Sequence, residues 1–168
     1  MKIILIAGKS GSGKTEAAHI IKKNLPKTVI SNFSKYIKLF AMEMTDWDGS
    51  DTNKPRTFLQ QMGDTLRNID ESFLPKRILE DTEVYKQYYD NLVICDVRLP
   101  EEIDYIKNNS SYDVITILIK SNENNKLTQE QKEHHTENDF LNYSNYDYVI
   151  ENHYDNQFEQ DILNIIDR

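Results

Sequence analysis

Ile3-Ile4-Leu5-Ile6-Ala7-Gly8-Lys9-Ser10-Gly11-Ser12-Gly13-Lys14-Thr15 joins a continuous apolar run to a glycine-rich turn that closes on Lys-Thr. The run 3–7 is apolar at every position, the mark of a strand buried on both faces of a parallel sheet. Three glycines within residues 8–13 would weaken a helix or a strand, so this stretch reads as loop. From 14 to 25, Ala17, Ala18, Ile20, Ile21 and Leu25 recur at helical spacing, and Pro26 closes the element. Strand, glycine loop and helix therefore follow one another without a break.

The loop fits G-x-x-x-x-G-K-[ST] without a mismatch, a pattern expected by chance in roughly 0.5% of chains of this length. Each residue type has a physical task. Gly8, Ser10, Gly11, Ser12 and Gly13 allow backbone N–H groups to turn inward and cradle phosphate oxygens at the positive end of the following helix. Lys14 can reach the β- and γ-phosphates of a nucleotide, and the Thr15 hydroxyl can ligate Mg²⁺. The same glycines cannot be laid on a dinucleotide G-x-G-x-x-G. A guanine-nucleotide switch is also excluded: Asp46-Trp47-Asp48-Gly49 has no strand before it, and Asn53-Lys54-Pro55-Arg56 ends in the wrong residue for N-K-x-D.

Outward from the loop, the chain alternates. Short strands are expected at 28–30, 92–95, 114–119 and 148–150, and helices at 33–45, 55–69, 72–89, 100–107 and 155–167. In helix 72–89 the apolar side reads as Phe73, Leu74, Ile78, Leu79, Val84 and Tyr88. Fully apolar strands between helices specify an α/β fold, a parallel sheet covered on both faces in three α/β/α layers. Ligands of such sheets bind at the carboxyl ends of the strands, where Gly8, Asp96, Lys120 and Glu151 fall. No linker or repeat divides residues 1–168, which read as one domain.

Composition narrows the partners. The chain has 168 residues, a net charge of −8 and a single cysteine, Cys95. That balance disfavours nucleic acid and anionic membranes as partners and excludes an internal disulfide framework. No apolar run approaches a spanning helix, and a cytoplasmic location is expected.

Transfer to a small acceptor needs cations on the acceptor's side of the site as well. There are five arginines against three times as many lysines. Arg98 follows the buried strand beside Asp96, which could hold Mg²⁺ through water, fix an arginine or fix the acceptor. Arg56 and Arg67, eleven residues apart on one expected helix, share a face that can meet an acceptor phosphate. Arg77 and Arg168 read as surface, and His19 as packing. Phe33, Tyr36 and Phe58 are candidates for stacking on a base.

Taken together, these stretches resemble the phage-type deoxynucleoside monophosphate kinases and, more distantly, the animal-type phosphomevalonate kinases. Beyond the phosphate loop, Phe33-Ser34-Lys35-Tyr36-Ile37-Lys38 is similar to an aromatic-x-x-P-L-K stretch, with Ile37 in place of the proline. The stretch from Pro55 through Asp64 to Arg67 is similar to P-R-x-x-L-Q-x-x-G-x-x-x-R. Asp96-Val97-Arg98-Leu99-Pro100-Glu101-Glu102 resembles D-V-R-F-P-N-E, His134-His135-Thr136-Glu137 resembles H-x-S-E, and Asp147-Tyr148-Val149-Ile150-Glu151-Asn152 resembles D-x-V-I-x-N.

The resemblance implies Lys38, Arg56, Arg67 and Arg98 on the acceptor-phosphate side, within acceptor-binding helices at about 33–70. It also implies an adenine-cradling loop near Asn152 and His153. The polar segment 121–139, with Lys126 and Lys132 as its fixed cations and His134, His135 and Glu137 near its end, stands where such enzymes carry a lid. The expected activity is ATP- and Mg²⁺-dependent phosphorylation of a deoxynucleoside monophosphate, with Lys14, Arg98 and Asp96 at the reaction centre. A homodimer is compatible with this expectation. Phosphomevalonate and dephospho-coenzyme A are alternative acceptors, and a nucleotide-binding module without transfer is the alternative of another class.

Overall fold

The computed structural model of the chain describes residues 1–121, 133–134 and 138–166. The elements are β1 (Lys2–Gly8), α1 (Lys14–Asn24), β2 (Thr28–Ser31), α2 (Lys35–Met44), α3 (Arg56–Ile69), α4 (Phe73–Tyr85), β3 (Asn91–Val97), α5 (Pro100–Asn109), β4 (Asp113–Lys120), a 3₁₀ turn (Asp139–Asn142), β5 (Tyr148–Glu151) and α6 (Asn156–Ile166). The strands form one parallel sheet in the order β2-β3-β1-β4-β5.

Alternation along β1 splits the core in two. Ile3, Leu5 and Ala7 face Ile37, Leu74, Ile78, Ile103 and Ile106, which come from helices α2, α4 and α5. Ile4 and Ile6 face Ala17, Ala18 and Ile21 of α1 and Phe158, Ile162 and Ile165 of α6. Both faces of the central strands are thereby dry, and the three-layer α/β/α architecture follows.

The connection leaving β1 crosses one face toward β2, while that leaving β3 crosses the other toward β4. The carboxyl ends of β1 and β3 consequently border a crevice at the topological switch point. A register shift sharpens it: Leu5 pairs with Ile94, but Ala7 pairs with Val97. The extra residue returns Val97 to the core and releases Asp96 toward the crevice, as a bulge beside a site commonly does.

Four expectations change. β3 runs on to Val97, and α4 ends at Tyr85. In α4 the buried side is Leu74, Pro75, Ile78 and Thr82, while Phe73, Val84 and, beyond the helix, Tyr88 are exposed. Thr82 can turn inward because its hydroxyl donates to the Ile78 carbonyl at 2.7 Å. His19 is exposed rather than packed. Most of segment 121–139 lies outside the described residues, including Lys126, Lys132, His135 and Glu137, as does Arg168. Among the described residues no helix is long and apolar enough to cross a membrane.

Candidate active site

The glycine loop is shaped by close approaches. Gly8 has φ +152°, and a Cβ there would stand 2.5 Å from the Ile119 carbonyl oxygen. At Gly13, φ is +99° and a Cβ would meet Asn152 Nδ2 at 2.3 Å. Asn152, buried, donates from Nδ2 to the Ser12 carbonyl at 3.0 Å, and the Tyr154 hydroxyl donates to the Gly11 carbonyl at 2.9 Å. The β5–α6 connection thus braces the loop from behind. His153 is exposed, with its Nε2 3.7 Å from Glu151. Lys14 is 8% exposed and folds back over the loop, its Nζ donating to the carbonyls of Gly8 and Lys9 at 2.7 Å each.

Ser12 is fully buried and its hydroxyl oxygen meets no hydrogen-bond partner; Ser10 and Gly11 line the cavity in front of α1. Thr15, exposed, opens onto that cavity beside Lys14. A lone hydroxyl suits Mg²⁺, a hard cation that keeps waters and takes the rest of its oxygens from phosphates. The donor set therefore fits a phosphate-borne metal. Among the described residues no group of three His, Cys, Asp or Glu side chains is arranged to hold a metal alone.

Asp96 acts as a joint between β3 and the start of α2. Its Oδ1 accepts the Phe33 N–H at 2.7 Å, and its Oδ2 accepts the N–H and the hydroxyl of Ser34. Lys38 Nζ approaches Oδ2 at 3.9 Å. Burial opposes ionisation, but Lys38 and the hydrogen bonds from Ser34 and Phe33 outweigh it and hold the carboxyl below its ordinary value. Lys38 thereby joins the groups that Asp96 can fix.

A second carboxylate organises the arginines. Arg67 donates from Nη2 to Glu102 Oε1 at 3.0 Å, and its Nη1 is 3.6 Å from Asp64. Glu102 Oε2 accepts the backbone N–H groups of Arg98 at 2.8 Å and Leu99 at 3.2 Å. Burial raises the Glu102 carboxyl above its ordinary value, against the pull of Arg67. Gly63 leaves room for the guanidinium: a Cβ there would stand 2.9 Å from Arg67 Nη1 and would push that end of the side chain aside. His134 Nε2 lies 2.9 Å from the other oxygen of Asp64.

These groups converge on one cavity of about 410 Å³. Lys14, Lys38, Lys54, Arg56, Arg67 and Arg98 all line it, with Glu16, Asp51 and Asp96 as its acidic residues. Its apolar wall consists of Phe33, Ile37, Leu59 and Leu74, and Asn32 and Gln60 add amides. Of the three aromatic candidates only Phe33 lines it. The Tyr36 hydroxyl is instead bonded to Asp81 at 2.7 Å, and its ring carries Arg77 at 4.9 Å.

Sequence reasoning missed Lys54, Glu102 and Tyr154. Glu102 had left a trace, since Pro100 followed by Glu at the third helical position marks a helix start. Lys54 shows no pattern of its own. Tyr154 adopts φ +59°, a backbone state that residue type does not announce.

No protein-family model matches the sequence, and no curated protein matches it. Solved structures do. The APS kinase of Mycobacterium tuberculosis in complex with AMPPNP and APS is 13% identical with TM-score 0.54, over 99% of this chain and 95% of that one. Thymidylate kinase from Ehrlichia chaffeensis is 14% identical with TM-score 0.54, over 99% and 97%. Shikimate kinase from Aquifex aeolicus is 16% identical with TM-score 0.54, over 99% and 96%. At such identities the likeness is one of fold, the α/β fold that these three solved structures share.

Proposed function

We propose that the chain is a kinase that transfers the γ-phosphoryl group of ATP to a deoxynucleoside monophosphate. The observation that carries this reading is the single cavity joining the Lys14 loop to Lys38, Arg56, Arg67 and Arg98. Six basic residues on one cavity, in a protein of net charge −8, suit two phosphorylated ligands brought face to face. A volume of about 410 Å³ falls within the usual range for small-molecule sites. The wall of Phe33, Ile37, Leu59 and Leu74, with the amides of Asn32 and Gln60, suits a nucleobase. The structural neighbours include kinases named for a nucleotide, for APS and for shikimate, which supports small-molecule phosphoryl transfer; the sequence resemblance supports the deoxynucleotide.

In the proposed reaction an acceptor phosphate oxygen attacks the γ-phosphorus, a new P–O bond forms, and the bond to the bridging β–γ oxygen breaks to release ADP. The acceptor oxygen is already anionic at neutral pH, so no general base is required. Lys14 moves from the Gly8 and Lys9 carbonyls onto donor phosphate oxygens, while Arg98 and Arg67 neutralise charge on the migrating group and the acceptor. Asp96 keeps Lys38 and the Phe33 wall in place. Bound with the nucleotide, Mg²⁺ would be held at Thr15 and would offset phosphate charge.

ADP release from Mg·ATP, measured with deoxynucleoside and ribonucleoside monophosphates, phosphomevalonate and dephospho-coenzyme A, tests the reading. Acceleration by one or a few deoxynucleotides is expected. Acceleration by phosphomevalonate alone would keep the mechanism and replace the substrate. No acceleration by any acceptor, with Mg·ATP bound, would leave a nucleotide-binding module.

A further inference from the structure

Asn53-Lys54-Pro55-Arg56 serves no guanine site, and the kinase reading draws on it only through Arg56. Yet Lys54 lines the cavity, its side chain 23% exposed. The loop that presents it is braced. Trp47 is buried and donates from Nε1 to the Ser50 carbonyl at 2.7 Å, and the Ser50 hydroxyl donates to Asn53 Oδ1 at 2.8 Å. Pro55 then leads directly into α3.

The charges around Lys54 are poorly balanced. Its Nζ meets Asp51 Oδ1 at 3.2 Å, and Arg56 Nη2 approaches the same oxygen at 3.9 Å. The Asp51 side chain is 76% exposed, so water screens what it offers both cations. Lys38, on α2, lines the same cavity and spends its charge on Asp96 at 3.9 Å. Burial, together with repulsion from Lys38 and Arg56, lowers the Lys54 ammonium below its ordinary value against the pull of Asp51. Three cations crowded on a partly dry wall repel one another until an anion enters among them.

We propose that Lys54 is a phosphate-binding residue, forming with Lys38 and Arg56 a three-cation subsite for the acceptor's phosphate, which displaces Asp51. The identity of that anion as an acceptor phosphate rests on the kinase reading; the subsite itself does not.

The test is titration of the full chain with inorganic phosphate, with and without saturating Mg·AMPPNP, in the wild type, Lys54→Met and Lys54→Arg. Lys54→Met should weaken phosphate binding about tenfold, the loss of one charged hydrogen bond, and leave Mg·AMPPNP affinity within twofold. Without phosphate its melting temperature should equal or exceed the wild-type value, because crowding is relieved; a merely structural lysine would lower it. Lys54→Arg should restore most of the phosphate affinity. A melting temperature several degrees lower with phosphate affinity unchanged would overturn the proposal. Failure of the kinase reading looks different: no acceptor accelerates ADP release, while phosphate affinity still drops in Lys54→Met.

Discussion

Glu102 and Arg67, on α5 and α3, form a buried ion pair in which one carboxylate oxygen takes the guanidinium at 3.0 Å and the other takes the Arg98 backbone at 2.8 Å. A single side chain thus fixes where both arginines start from. Glu102→Gln should cost about 1–3 kcal/mol, because a largely buried guanidinium gives up its nearer carboxylate and keeps only Asp64, at 3.6 Å. Combined with Arg67→Met, the loss should be smaller than the sum of the two single losses, since both disrupt one pair. Urea denaturation of the two single variants and the double variant measures this; a Glu102→Gln cost below about 0.5 kcal/mol would sink the pair as an organiser.

Lys14 and Arg98 separate binding from transfer. Lys14→Ala should abolish acceptor-dependent ADP release with the fold intact by circular dichroism. Arg98→Ala should lower kcat/KM at least ~100-fold, on the order of 3 kcal/mol, if it meets the transferring group. A loss under threefold would remove Arg98 from the reaction.

The phosphate loop and the β5–α6 connection should fail together. Gly13→Ala forces a side chain into φ +99°, a cost of about 1–2 kcal/mol, and drives its Cβ against Asn152 at 2.3 Å. Asn152→Ala removes that obstacle but leaves the Ser12 carbonyl without its 3.0 Å donor. Thermal unfolding should show the double variant less destabilised than the two single losses added together. Strict additivity would mean that the two residues do not meet.

Asp96 gives an acid-side signature. Its folded pKa lies below the ordinary 3.8, so its stabilisation is complete above the unfolded value and is lost as pH falls through the folded one. The stability gap between the wild type and Asp96→Asn should be constant above about pH 5 and shrink below 3.8. Denaturant titrations carried from about pH 5 to well below 3.8 read it directly, and a gap that grows on acidification would reverse the assignment.

The sheet and the phosphate loop were legible because their signals are contiguous: 3–7 is apolar throughout, and the eight residues 8–15 carry the whole motif. Arg98 was legible from its place just past a strand end. Glu102 was not, because its local pattern announces a helix start while Arg67 lies 35 residues away. The side of α4 was read in part: Leu74 and Ile78 are buried as expected, but Phe73 and Val84 are exposed, and Thr82 is buried because its own helix supplies a carbonyl, which a polar residue type does not announce. Asp96 was located but its orientation was not, since the register shift that turns it out of the core depends on pairing between β1 and β3.

Trp47 is the sole tryptophan of the chain, and it sits buried in the turn that leads to Lys54. Its emission therefore reports on this one loop, with no other indole contributing background. Any anion that draws Lys54 away from Asp51 pulls on the same backbone that hydrogen-bonds the indole at Ser50. The protein carries its own optical gauge of occupancy at the cation-rich wall, readable at micromolar concentration without labels or turnover.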